Sequence, residues 1–216
     1  MSTTSLQLSL LALVWLGYFA LHSLLASIGL KQRLAKSHPQ WMPAYRLIFN
    51  LLAVGLILLP LWLVNAYQAE PLWQWQGNLR IVAKTLQYGA LVGVVWTFRY
   101  YDGLEIAGIR QLMNHEQSVD GQEHFTISPF HRFVRHPWYF LFLIYLWAGD
   151  MEPAWLLSTI IFSLYFIYGS RLEERKLLAY HGDVYARYMQ AVPGLIPLPW
   201  RYLSRKQAKA LLNKTA

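Results

Sequence analysis

Residues 131–174 read H-R-F-V-R-H-P-W-Y at 131–139, then an apolar stretch rich in Trp and Phe, and finally S-R-L-E-E at 170–174. Two charged clusters, Arg135-His136 and Arg171 to Arg175, therefore flank an apolar segment that is interrupted by D-M-E-P at 150–153. Lipid excludes ionised groups unless they are paired or functional, so charges that bracket a membrane hairpin indicate a site. Taken singly, Arg135 or Arg171 is better explained as an anchor at the membrane interface, and it is the combination of the two clusters that favours a site.

The composition is that of an integral membrane protein. Of the 216 residues, 56% are hydrophobic and 14% are charged, whereas soluble domains contain about 25% charged residues. The sequence has no cysteine, which excludes disulfides, thiolate nucleophiles and Cys-ligated metals. Its formal net charge of +8 would suit a nucleic-acid-binding protein, unless the positions of the basic residues have another explanation.

Apolar segments long enough to cross ~30 Å of hydrocarbon occur three times in the N-terminal half, and a shorter pair follows. The expected spans are 6–30, 45–67 and 79–98, and the arms of the shorter hairpin are 138–149 and 154–169. Between them, the polar segment 100–134 is too long for a simple connector. The tail from residue 172 is expected to be a cytosolic helix, which the prolines of V-P-G-L-I-P-L-P-W at 192–200 end.

The predicted fold class is therefore all-α: a multi-pass membrane helix bundle of about five hydrophobic helices. It includes a C-terminal helical hairpin and a cytosolic C-terminal helix. We expect a single domain over residues 1–216, with three N-terminal spans in 1–98 and the functional region in 99–216.

Basic residues are concentrated on one predicted face of the membrane. They fall in the loop after the first span, around the 100–134 segment and in the tail, whereas only Arg80 and Lys84 lie at the opposite face. The positive-inside rule then places the N-terminus outside and the C-terminus, with both charged clusters, on the cytoplasmic side. Topology thus explains the basic excess, so we expect a membrane partner and no nucleic acid, and the tail can contact anionic lipid.

The hairpin that joins the two clusters brings them together at the boundary of the apolar layer. A site there contains guanidinium, imidazole and carboxylate groups among aromatic rings. Such groups can hold a zwitterionic, aromatic cofactor together with an oily substrate. The residue types alone do not identify the cofactor.

The sequence resembles the integral membrane methyltransferases typified by isoprenylcysteine carboxyl methyltransferase and the phospholipid N-methyltransferases. The family pattern is R-H-P-x-Y, then E-E-x-x-L, then G-x-x-Y-x-x-Y-x-x-x-V-P-x-x-I-P. Its specified positions are all present here: Arg135, His136, Pro137, Tyr139, Glu173, Glu174, Leu177, Gly182, Tyr185, Tyr188, Val192, Pro193, Ile196 and Pro197. In the N-terminal half, L-H-S-L-L-A-S and Y-R-L-I-F-N resemble a bacterial branch that contains thiol methyltransferase-like membrane proteins, which implies a bacterial inner membrane.

The resemblance implies S-adenosylmethionine as the methyl donor, bound by the 99–216 region. It assigns cofactor binding to His124, Phe125, Thr126, Ile127, His136, Pro137, Trp138, Tyr139 and Glu174. It also implies that Arg171 faces the substrate. The candidate catalytic residues are Arg171, His131 and Arg135. For an amine or thiol acceptor, His131 or His124 is a candidate base.

Two positions depart from the family. His131 stands where a Tyr is usual, and Leu141 stands where a Gly is usual. These departures bear on the substrate and on the packing of the hairpin. The implied reaction is methyl transfer to the oxygen, nitrogen or sulfur of a lipid, a lipophilic molecule or another small molecule.

Two other function classes stay open. A metal-dependent membrane oxidase would use the histidines as ligands, but their spacing is scattered and we expect no metal. A non-catalytic membrane protein of the same fold would bind a lipid or protein partner. In that case Glu173 and Glu174 belong to a solvated helix face, and Tyr185 and Tyr188 are interfacial residues.

Overall fold

A computed structural model of the chain describes residues 4–117 and 127–212. The described parts are helical apart from loops and two isolated backbone pairings, Trp73 with Met151 and Leu198 with Arg201. The helices are α1 (Ser5–Ala26), α2 (Ile28–Ser37), α3 (Met42–Ala66), α4 (Gly77–Thr97), α5 (Gly103–Ala107), α6 (Ile109–Met113), α7 (Pro137–Trp147), α8 (Pro153–Ala191) and α9 (Arg205–Leu212). The predicted all-α class is confirmed.

Within the described residues, four helical segments are long and apolar enough to cross a membrane. They are Ser5–Ala26, Pro39–Ala66, Gly77–Tyr100 and Pro153–Ala191. The fifth apolar helix, Pro137–Trp147, is shorter. The chain is thus a multi-pass membrane protein, as its composition predicts.

The first span is shorter than the apolar run that predicts it. Helix α1 ends at Ala26 rather than residue 30, because Ser27 adopts an extended backbone with φ −70° and ψ 140°. The Ser27 hydroxyl then accepts a hydrogen bond from the Leu30 amide and so caps the start of α2. Hydropathy continues across this break, so it does not reveal the cap.

The second arm of the hairpin and the tail helix are not separate. Helix α8 runs from Pro153 to Ala191, and the only non-helical backbone inside it is at Gly182, with φ 50° and ψ −129°. The separation expected between residues 169 and 172 is therefore wrong, since the change from apolar to charged side chains does not interrupt backbone hydrogen bonding. The proline-rich segment does end the helix at Ala191, as predicted.

The chain forms two compact units built from non-consecutive stretches. Unit 1 comprises Met1–Gln74, Tyr101–Glu123 and Asp150–Ile161. In it, the buried Trp15 donates its indole N–H to the Ser158 hydroxyl at 2.9 Å. The loop after α3 pairs with the turn before α8, because the Leu72 amide donates to the Met151 carbonyl at 2.8 Å.

Unit 2 comprises Trp75–Tyr100, His124–Gly149 and Phe162–Ala216, and it contains both charged clusters. Helices α4 and α7 pack in opposite directions there. The Trp138 indole N–H donates to the Thr97 hydroxyl near one end, and Gln87 donates to the Tyr145 carbonyl nearer the other. The expectation of one domain over the whole chain stays a prediction.

Leu141, one of the two departures from the family pattern, lies in the α4–α7 contact. It is buried, and a Cβ added at Gly93 would lie 3.1 Å from its side chain. The missing side chain at Gly93 therefore leaves the space that Leu141 fills.

Candidate functional site

The start of α7 places His136 at the edge of the apolar layer. His136 has the N-cap position, and Pro137 follows as the first helical residue. Proline suits this position because its fixed φ is helical and its missing N–H would be unpaired there anyway. The residue before a proline is also pushed out of the helical conformation. The H-P dipeptide thus fixes where the helix begins and leaves the imidazole beside α8.

His136 bridges two neighbouring carboxylates on α8. Its Nε2 lies 3.0 Å from Glu174 Oε1, and its Nδ1 lies 3.4 Å from Glu173 Oε2. Adjacent residues on a helix differ by about 100° in direction, so the two acids reach opposite edges of one ring. Burial by itself lowers the pKa of His136, but the hydrogen bonds to Glu173 and Glu174 outweigh it and raise the pKa.

Arg135 connects the same acid to the end of α8. Its Nε and Nη2 lie 2.8 Å and 2.7 Å from Glu174 Oε1. Its Nη1 donates to the carbonyls of Met189, at 2.9 Å, and Val192. The Arg135 and Glu174 side chains are only 10% and 12% exposed. The guanidinium fork is therefore occupied by protein groups, which identifies Arg135 as a brace.

A short segment after α8 completes this brace. We call residues 192–197, V-P-G-L-I-P, the strap. The Arg135 amide donates to the Pro193 carbonyl at 2.9 Å, and the His136 amide donates to the Gly194 carbonyl at 3.1 Å. A Cβ at Gly194 would lie 3.3 Å from Arg135 Nη2 and 3.5 Å from Glu174 Oε1. Glycine thus lets the strap lie close against the ion pair.

In Glu173 and in Glu174, the contacts with the described residues all fall on one carboxylate oxygen. Glu174 receives Arg135 and His136 on Oε1, and Glu173 receives His136 and the Tyr139 hydroxyl, at 3.2 Å, on Oε2. Within residues 4–117 and 127–212, no protein donor is recorded for the second oxygen of either acid. The Glu173 side chain is also 44% exposed. These two oxygens can accept hydrogen bonds from a ligand.

Aromatic rings stack beside the acids. The rings of His136 and Tyr139 lie 5.3 Å apart at an angle of 10°. Those of Tyr139 and Phe166 lie 4.7 Å apart at 12°. Such a wall suits an aromatic or cationic ligand.

His131 differs electrically from His136. Its Nδ1 lies 2.7 Å from the Ser128 hydroxyl, and its backbone carbonyl accepts the Tyr188 hydroxyl at 2.6 Å. Burial lowers the pKa of His131 to about 4, and the charge of His136 acts in the same direction, while Glu173 opposes it. His131 is therefore a neutral imidazole at pH 7.

The structure brings together four of the predicted site residues: Arg135, His136, Tyr139 and Glu174. Three others take no part in these contacts. The Trp138 indole N–H is bonded to α4, Ile127 packs on the core of Tyr185 and Tyr188, and Arg171 is exposed and takes no part in the cluster's hydrogen bonds.

Pro137 is buried at the start of α7. His124, Phe125 and Thr126 lie outside the described residues. Among the residues that the structure does describe, no group of three or more His, Cys, Asp or Glu could hold a metal ion.

The sequence interpretation missed the role of Glu173 and of two tyrosines. Glu173 adjoins Glu174 in the E-E pair. An imidazole has two nitrogens, so His136 could have been expected to contact both carboxylates. Tyr185 and Tyr188 are 1% and 2% exposed, so they are core residues rather than interfacial ones. Their spacing of three residues, which puts both on one helix face, was the available signal.

Comparison with known proteins gives relatives of one kind. No family model and no solved structure matches the chain. The chain is 30% identical to methanethiol S-methyltransferase 1 of Bradyrhizobium diazoefficiens over 142 residues, covering 60% of this chain and 49% of the relative. It is 31% identical to the methanethiol S-methyltransferase of Pseudomonas sp. (strain GM41(2012)) over 135 residues, covering 60% and 51%.

A third relative is covered more fully. The chain is 32% identical to the methanethiol S-methyltransferase of Mycobacterium tuberculosis over 199 residues, covering 88% of this chain and 78% of the relative. By contrast, the chain spans about half the length of the Bradyrhizobium and Pseudomonas proteins.

Proposed function

The chain belongs to the bacterial branch of the integral membrane methyltransferase superfamily, and from this premise we propose that it methylates a small thiol with S-adenosylmethionine as donor. The relatives are named for S-methylation of methanethiol, which favours a small thiol over the lipophilic acceptors that the wider superfamily uses. The proposed site lies at the cytoplasmic face of a bacterial inner membrane, with the N-terminus outside, as the distribution of Lys and Arg predicts.

The observation that carries the proposal is that Glu173 and Glu174 each have one carboxylate oxygen available to accept a hydrogen bond from a ligand. Glu173 and Glu174 are each held through one oxygen, beside the His136–Tyr139 stack. An ammonium group or ribose hydroxyls are suitable donors to the second oxygens. The stacked rings offer a face for a purine or a sulfonium. The chemistry of these groups fits S-adenosylmethionine.

S-adenosylmethionine supplies, when bound, a methyl group on a positively charged sulfur whose charge is lost on transfer. In our proposal Glu173, Glu174, His136 and Tyr139 hold the donor. Arg135 and the strap fix the position of Glu174 and so act as positioning groups. Pro137 sets the start of α7, and we keep Trp138 and the segment 124–127 as predicted contributors.

A thiol acceptor must also lose a proton. The acceptor sulfur would take the methyl group that S-adenosylmethionine would supply, the uncharged thioether would leave, and the thiol proton would pass to a base of this chain. We keep His131 as the candidate base in the described site. Its lowered pKa leaves the imidazole neutral at pH 7, but it also makes the imidazole a weak base, so the transfer needs a nearby positive charge that favours the thiolate. The exposed guanidinium of Arg171 would favour the thiolate electrostatically.

Product identification tests the proposal. Purified protein in nanodiscs is supplied with methyl-labelled S-adenosylmethionine together with methanethiol and, separately, with a membrane lipid extract. We expect the label in volatile dimethyl sulfide. Glu173→Gln, which keeps the shape of the side chain but removes the charge, is expected to reduce the transfer.

The control is Arg187→Lys, which keeps the charge of an exposed residue outside the cluster. Label that enters lipid and not the volatile product would return the acceptor to the lipophilic class. If neither acceptor is labelled although the protein is folded, the non-catalytic alternative replaces the proposal.

A further inference from the structure

Large apolar side chains are exposed in the segment that follows α8, outside all the apolar helices. Trp200 is 75% exposed, Ile196 65% and Tyr202 51%, and the neighbouring Phe133 is 44% exposed. Three of them lie within seven residues of each other in the chain, and Phe133 stacks on Tyr202; we call these four side chains the aromatic patch, and such exposed apolar groups are typical of a contact surface. Trp and Tyr are also the side chains enriched where proteins meet lipid headgroups.

A tight turn presents the most exposed of these side chains, Trp200. The Arg201 amide donates to the Leu198 carbonyl at 3.0 Å across the turn. The Arg201 guanidinium donates to the carbonyls of Met189, at 3.0 Å, and Gln190, at 2.7 Å, at the end of α8. Because the turn is tied to the helix, the indole is held outward at its tip.

The turn lies beside the point at which α7 enters the apolar layer. The Leu203 amide donates to the Arg132 carbonyl at 2.9 Å, and Arg132 Nε donates back to the Leu203 carbonyl at 2.8 Å. The Tyr202 and Phe133 rings stack at 5.7 Å and 20°. Arg132 and Phe133 lie a few residues before α7, which begins at Pro137, so the Phe133–Tyr202 pair lies close to the start of an apolar helix.

The charge of this region has one sign. The sequence has no Asp or Glu after Asp183, and its basic residues there are Arg187, Arg201, Arg205, Lys206, Lys209 and Lys214. Helix α9 buries Ala208 against the tyrosine core. It leaves Arg205, Lys206 and Lys209 exposed. The segment therefore offers cations next to the aromatic patch.

We propose that residues 196–209 together with Phe133, here called the docking turn, bind anionic phospholipid headgroups of the membrane that holds the chain. The aromatic side chains enter the headgroup layer, and the cations of α9 contact the phosphates. The docking turn shares residues 196 and 197 with the strap, whose carbonyls pair with Arg135 and His136, so lipid contact also steadies the site. This inference does not depend on the methyl-transfer proposal.

The absence of cysteine allows a direct test with a single label. Trp200→Cys is labelled with an environment-sensitive fluorophore and reconstituted into phosphatidylcholine vesicles with and without phosphatidylglycerol. We expect emission to shift to the blue when phosphatidylglycerol is present. We also expect stronger quenching by lipids brominated near the headgroup than by aqueous iodide. The triple variant Arg205→Gln, Lys206→Gln, Lys209→Gln should lose the dependence on phosphatidylglycerol.

The matched control is a label at the exposed Asn78, in the first turn of α4. The emission of this label should be the same with and without the triple substitution. Iodide quenching at position 200 that exceeds lipid quenching, in both lipid mixtures, would overturn the proposal. So would an emission that changes with the protein-to-lipid ratio rather than with lipid charge, since that result indicates a second copy of the chain.

Discussion

Arg135 makes contacts in the site through both its side chain and its backbone. One planar fork meets a carboxylate oxygen and two backbone carbonyls, while the backbone of Arg135 pairs with the strap. Lysine carries the same charge but has no such fork. The position therefore depends on shape as well as on charge.

Arg135→Lys is expected to lower the stability of the folded protein by about 2 kcal/mol, since it loses the two carbonyl bonds and the paired contact with Glu174. Thermal unfolding in detergent measures the effect. Arg187→Lys is the control, because Arg187 is exposed and has no ion pair or hydrogen bond recorded among the described residues. Equal unfolding midpoints for the two variants would show that Arg135 is not a brace.

His136 makes stability depend on pH. Its folded-state pKa is raised above 6.5, so its contribution is fully present below pH 6.5 and is lost as the pH rises through the raised value. We expect the unfolding midpoint to fall as the pH rises above about 6.5, and His136→Gln to have a lower midpoint that changes little with pH there. His131 does not interfere, since its pKa is lowered to about 4 and its effect falls on the acid side of 6.5. A flat profile for the unsubstituted protein would contradict the ion bridge.

Among the helices, α8 depends on a single backbone irregularity. Gly182 has φ 50° and ψ −129° inside an otherwise continuous helix. A Cβ there meets nothing within 4 Å, so any cost of adding one comes from the backbone conformation alone. The break at Gly182 changes the direction of the last part of α8. Tyr185 and Tyr188 of that part pack with Val192 of the strap in one core cluster.

Gly182→Ala is therefore expected to destabilise the protein by about 1–3 kcal/mol. Gly169→Ala in the same helix is the matched control. It has helical backbone and open space around its Cβ, so it should be neutral or stabilising by up to about 1 kcal/mol. The difference between their unfolding midpoints is the measurement, and no difference would rule out backbone strain at Gly182.

Helices α4 and α7 fit through the pairing of Gly93 with Leu141. Gly93→Ala brings a Cβ to 3.1 Å from the Leu141 side chain, which we expect to cost about 1–3 kcal/mol. Adding Leu141→Ala should recover part of that loss, although Leu141→Ala alone leaves a cavity. Gly89→Ala, where nothing lies within 4 Å, is the control. Additive effects in the double variant would contradict direct packing.

At the scale of the whole molecule, sequence was sufficient for the features that depend on hydropathy and motif spacing. The all-α class, the membrane spans and the meeting of Arg135 and His136 with Glu174 were all predictable. Features that depend on single hydrogen bonds were not. Atomic coordinates were needed to find three features: the cap at Ser27, the continuity of α8 and the contact of Glu173 with His136. The contribution of the strap carbonyls was hidden for the same reason, since backbone acceptors leave no trace in residue identity.

Binding of S-adenosylmethionine is the most direct test of the central claim. Titration calorimetry on the purified protein in nanodiscs is compared with Glu173→Gln and with the control Arg187→Lys. We predict saturable binding by the unsubstituted protein and by the control, and binding weakened by about tenfold or more in Glu173→Gln, since a charge-assisted hydrogen bond is lost. Absence of binding by the folded protein would contradict the methyltransferase assignment, and equal affinity in Glu173→Gln would contradict the site.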